Sequence, residues 1–155
     1  MMKSQVIRSL SLAGVPLALL LAQPLPLAAR TTASGIETGS WREGARFMSG
    51  GVGVGEREKM VEMAPGYDLK LSFANHVGHY LSDVKVTISD EHGKQVLNTT
   101  TAGPWLYVEL PQGKYDVKAR YADRTEEIKN LEVTHGQLMT RLLHWSSSAQ
   151  QISQR

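Results

Sequence analysis

The sequence predicts an all-β fold: seven antiparallel strands in a two-sheet β-sandwich, preceded by one short N-terminal helix. Three observations carry this prediction. From Tyr67 onward apolar residues recur with period two, the side-chain repeat of a half-buried strand. Turn signals containing Gly, Asp, Asn or Pro separate these runs at short, regular spacing, the layout of a sandwich. The 155 residues include no cysteine, so a buried core rather than disulfides must hold the fold.

The N-terminus reads as a leader. Lys3 and Arg8 are followed by an apolar stretch from Leu10 to Leu21 and then Ala28-Ala29, the arrangement of a secretory signal peptide over residues 1–29. A membrane span needs about 20 apolar residues; this run is shorter and is interrupted by Gly14 and Pro16. Cleavage is expected after Ala29, with a cut near Ala33 as the alternative. With no cysteine to carry a lipid, the expected destination is periplasmic or secreted. Losing Lys3 and Arg8 takes the basic count from 17 to 15, equal to the 15 acidic residues, so the mature chain is near neutral. It holds no cluster of five Lys or Arg, which excludes nucleic acid as an expected partner. Beyond the leader no stretch is apolar enough to span a membrane.

Residues 30–48 are polar and rich in Thr, Ser and Gly, without a sustained period, and read as a flexible lead-in with Trp41 and Phe47 as contact points. Residues 49–66 combine the Gly-rich run Ser49 to Gly55 with a short helix from Glu56 to Ala64. Glu56 and Glu58 favour its positive end, and Pro65-Gly66 ends it. Met60, Val61, Met63 and Ala64 would give it an apolar side.

The sandwich domain is expected over residues 67–145. Leu69, Leu71 and Phe73 alternate with Lys70 and Ser72; Val84, Val86 and Ile88 alternate with Lys85, Thr87 and Ser89. After the turn Asp90 to Gly93, a strand from Lys94 to Thr101 has Val96 as its clearest inward residue. Gly103 to Tyr121 shows the strongest pattern. Leu106, Val108 and Leu110, then Tyr115, Val117, Ala119 and Tyr121, flank Pro111-Gln112-Gly113, which reads as an antiparallel hairpin. Thr125 to Thr134 breaks parity, and a bulge near Lys129-Asn130 would reconcile it. Leu138 to Trp145 closes the set. Residues 146–155 are polar and read as a disordered tail.

The run Asp83-Val-Lys-Val-Thr-Ile-Ser-Asp90, then Gly93-Lys94 and Leu110-Pro-x-Gly113-x-Tyr115, resembles the carboxypeptidase regulatory-like domains. With Gly50-Gly-Val-Gly, Tyr67-x-Leu-Lys-Leu71, Gly103-Pro-Trp-Leu-Tyr107 and Trp145, it is similar to small exported bacterial proteins carrying that domain. The resemblance covers roughly residues 49–145. It implies a transthyretin-like (prealbumin-like) β-sandwich, an export route and no catalytic motif. Some transthyretin-like proteins hydrolyse a purine-degradation intermediate and end in a Tyr-Arg-Gly-Ser type tail. Here the last strand ends Leu142-Leu-His-Trp145 before Ser146, so that activity does not carry over.

Candidate sites are few. The Gly-rich run ahead of a helix is not a phosphate loop, because Glu56 and Glu58 stand where phosphate would sit. His76 and His79 are the metal candidates, with His92, His135 or His144 as a third ligand; two ligands alone do not close a zinc site, and a polar loop is the competing reading. No cofactor is implied. Trp105, Tyr107, Tyr115 and Tyr121 fall on the expected hairpin and form the candidate binding row, although Tyr115 and Tyr121 also fit a core. The expected function is therefore a non-catalytic exported binding or accessory module that recognises a protein partner through the sandwich surface. A carbohydrate- or cell-wall-binding module is the alternative, and a small hydrolase or metal-binding protein using His76 and His79 is the third.

Overall fold

The computed structural model describes residues 30–33, 35–42 and 45–146. The expected leader and all but the first residue of the expected tail lie outside them. The described residues form ten strands and one helix. They are β1 (Arg30–Ala33), β2 (Ile36–Ser40), β3 (Arg46–Gly50), α1 (Val54–Met63), β4 (Leu69–Asn75), β5 (Lys85–Asp90), β6 (Gln95–Thr100), β7 (Trp105–Val108), β8 (Gly113–Tyr121), β9 (Arg124–Val133) and β10 (Met139–Trp145). One sheet runs β1-β2-β3-β7-β4-β10 and the other β6-β5-β8-β9.

Period-two patterning places the core. Leu69, Leu71 and Phe73 of β4 and Leu106 and Val108 of β7 point inward from the larger sheet. Val86 and Ile88 of β5 and Val117 and Ala119 of β8 meet them from the smaller one. The seven strands expected after Tyr67 coincide with β4 to β10. The expected bulge is present: Tyr115 pairs with Leu131 and Val117 with Ile128, so Asp116 alone faces Lys129 and Asn130. Asn130, at φ 52°, donates its N–H to Asp116 Oδ1 at 2.9 Å. That carboxylate sits below its ordinary pKa, first through this backbone donor and then through Lys129.

The structure corrects several expectations. The strand total among the described residues is ten, not seven, because the region expected to be a flexible lead-in supplies β1, β2 and β3. It carried no alternation because β3 is covered on both faces: Phe47 enters the main core while Met48 faces the helix, and both are buried. Trp41 and Phe47, the expected contact points of that region, do pack in the main core. The pairing is not antiparallel throughout, since β10 runs parallel to β4, from Met139 opposite Leu69 to Trp145 opposite Asn75.

The expected hairpin is not one. β7 pairs with β3 and β4, and β8 with β5 and β9. Alternation reports which way side chains point, and two strands facing each other across a core alternate just as two neighbours do. Residues 109–112 cross between the sheets, with buried Leu110 donating its N–H to Asp68 Oδ2 at 3.0 Å. Along β6, Leu97 rather than Val96 is fully buried. The register slips there, with Ile88 opposite Leu97 but Ser89 opposite Gln95, which inverts the parity.

The helix forms two residues earlier than expected and buries one residue, Met60. Met60 meets Ile36, Met48 and Tyr107 in a second, smaller core on the outer face of the larger sheet. Of its expected apolar side, Val61 and Met63 remain exposed. The loop before it is held by Glu56, whose Oε2 accepts the N–H groups of Gly51 and Val52 at 3.0 and 3.1 Å. Below it, Gly103 passes so close to β3 that a Cβ would stand 2.3 Å from the Gly50 carbonyl oxygen.

Candidate functional site

Helix α1 covers only part of the sheet beneath it. It rests over β3 and β7, while among the described residues no helix or strand covers β4 and β10 at the far side of that face. Lys70 and Ser72 of β4 lie beside Thr140 and Leu142 of β10, and Leu142 is 59% exposed. Trp105, the first residue of β7, stands between the covered and uncovered parts. Its register neighbours are Gly50 on β3 and Ser72 on β4, both too small to enclose an indole. Gly51 adds room: its φ is +87°, and a Cβ there would meet the ring at 3.2 Å.

Two cations converge on this ring from different elements. Lys70 Nζ lies 3.4 Å from the Trp105 centroid and 5.3 Å from that of Tyr107. Arg57 of α1 lies 5.9 Å from Trp105 and 5.5 Å from exposed Tyr80. The guanidinium is steered there by contacts to the carbonyls of Gly53 and Val52 at 3.4 and 3.3 Å. Such cation–π contacts contribute roughly 0.5–1 kcal/mol at exposed sites and more where water is excluded. Burial lowers the Lys70 pKa. Among the described residues neither Lys70 nor Arg57 makes a salt bridge.

Between the helix and the indole is an open cavity of about 360 Å³, lined by Val54, Arg57, Glu58, Val61 and Trp105. Val54 and Val61 are 68% and 57% exposed, on a helix that buries only Met60. Exposed valines beside a half-buried tryptophan, bordered by charge, are the composition of an interaction surface.

The four candidate aromatics do not form one row. Trp105 and Tyr107 lie on the larger sheet with centroids 6.4 Å apart, and Tyr115 and Tyr121 lie on the smaller one. Tyr107 is buried against the helix and Tyr115 in the main core, where its hydroxyl donates to the Pro111 carbonyl at 2.8 Å. Tyr121 is partly exposed and packs edge-on to Trp145. Trp105 is the candidate that opens onto a cavity. Lys70, Arg57, Val54 and Val61 escaped sequence reading because they meet only through the fold; Lys70 shows in sequence merely as an outward position on β4.

His76 and His79 sit on an exposed turn, where Asn75 Oδ1 accepts the N–H groups of Val77 and His79 at 3.1 and 2.9 Å. No group of three His, Cys, Asp or Glu among the described residues is placed to share a metal ion. His135, one of the possible third ligands, places Nδ1 3.1 Å from Oδ1 of Asp68. Asp68 is buried and also accepts the N–H groups of Leu110 and Gly136, at 3.0 and 2.8 Å, tying the inter-sheet crossing to the β9–β10 turn. This carboxylate is occupied in holding backbone. No helix of the described residues is long and apolar enough to cross a membrane. A scan against protein-family models finds no match, and a search of curated proteins finds no relative.

Proposed function

We propose that the chain is a non-catalytic, exported binding or accessory module, and that its working surface is the outer face of the six-stranded sheet around Trp105. One observation carries the reading: a half-buried indole opens onto an apolar cavity whose helical wall exposes Val54 and Val61. Exposed apolar surface of this kind costs free energy until a partner covers it. The partner class is protein. A sugar would need an open indole face to stack on, and Lys70 stands 3.4 Å from the ring centre.

The carboxypeptidase regulatory-like, transthyretin-like assignment is part of the same proposal. It is supported by the seven strands β4 to β10, whose span takes in the motifs from Asp83 to Tyr115 and which divide three and four between the sheets. The periplasmic or secreted location is proposed from residues 1–29.

The test is a comparison of partners retained from the producing cell by the wild-type chain and by the Val54→Ser/Val61→Ser double variant. Both valines are exposed, so the fold is expected to survive. The expected result is a defined protein held by the wild type and lost from the variant. Identical retention by both proteins would refute the surface.

A further inference from the structure

We infer that the segment received by this surface is acidic: a partner's apolar side chain enters the cavity beside Val54, Val61 and Trp105, while an adjacent Asp or Glu carboxylate lies between Lys70 and Arg57. The inference rests on the surface assignment above and deepens it by naming the chemistry of the occupant.

Charge complementarity carries it. Lys70 reaches the indole from the sheet and Arg57 from the helix, and neither has an acidic partner among the described residues. The nearby acids are mostly engaged. Glu56 holds the N–H groups of Gly51 and Val52, and Glu62 pairs with Lys59 at 2.9 Å. Glu58, at the cavity edge, is the one carboxylate lining it. An apolar partner without an anion would strip more water from two cations and return nothing to them. A carboxylate beside them offsets that desolvation and fixes the register of the bound segment. A basic segment would be repelled. A polyanion suits the site poorly, because among the described residues only two cations converge on the indole and the cavity beside it is walled by Val54, Val61 and Glu58.

The probe is a library of random twelve-residue peptides displayed on phage and selected on the purified chain. Binders are expected to carry Asp or Glu beside Leu, Ile, Phe or Met, and to be lost with Val54→Ser/Val61→Ser. A synthetic copy of a selected peptide should bind about tenfold or more weakly to Lys70→Gln/Arg57→Gln, and more weakly to wild type as salt rises. Selection on Lys70→Glu/Arg57→Glu should return basic peptides instead. Thermal melts matching wild type would show that the variants fold. Cavity-dependent binders without an acidic bias, or indifferent to the charge variants, would overturn the acidic assignment and leave the surface standing. No binder sensitive to the valine substitutions would overturn both.

Discussion

Gly103 and Asp68 show how much of this fold rests on single residues. A Cβ at position 103 would be driven into the backbone of Gly50, not into a side chain that could rotate away. Gly103→Ala is therefore expected to lower the free energy of unfolding by about 1–3 kcal/mol, measured by urea denaturation; an unchanged midpoint would show that the two segments can separate without cost. Asp68→Ala strips two backbone N–H groups of their acceptor. Leu110 is buried while Gly136 is exposed, and an unmet buried donor costs about 1–3 kcal/mol, so this variant should be clearly less stable than His135→Ala, whose side chain is mostly exposed. Little of this could be read from the chain. Gly103 looked like one more turn residue, and Asp68 was a lone acid before an alternating run, because the groups they meet are distant in sequence. Trp105 was legible as a candidate, since a tryptophan after Pro104 at a strand start is conspicuous. Lys70 and Arg57 were not, since they come together only when α1 is laid on the sheet.

At the scale of elements, the strands that alternate were legible and those that do not were missed. β4, β5 and β8 each have one face in the core, and their sequence says so. β3 is buried on both faces, by Phe47 and Met48, and its composition resembles a loop. Helix α1 is held chiefly through Met60. Met60→Ala is expected to cost about 2–5 kcal/mol and to speed amide exchange in residues 57–64 more than in β5 and β8; uniform protection across all three would contradict the idea that one side chain anchors the helix. The β9 bulge has a pH signature. The Asp116 pKa is lowered in the fold from an ordinary value of 3.8, foremost by the Asn130 N–H. Its contribution is fully present above that ordinary value and is lost as pH falls toward and through the lowered one. Asp116→Asn should flatten the loss of stability as pH falls below about 4. Equal acid slopes for the two proteins would show that the carboxylate contributes nothing there.

The whole molecule is two sheets closed on one core, with a second small core that seats a helix and, among the described residues, leaves the β4 and β10 side of one outer face uncovered. The fold class was legible because burial follows period two over most of the chain. The strand partners were not, because alternation is silent about neighbours; β7 and β8 lie in different sheets, direct residues into one core and read in sequence as a hairpin. The bare face follows from a helix ten residues long on a six-stranded sheet, too short to cover β4 and β10 as well. Placing a photo-crosslinking residue at position 61, on the cavity wall, and separately at position 118, on the outer face of the smaller sheet, tests this most directly in the producing cell. The account predicts a discrete protein adduct from position 61, abolished by Trp105→Ala, and none from position 118. Adducts from position 118 alone, or from position 61 regardless of Trp105, would contradict it.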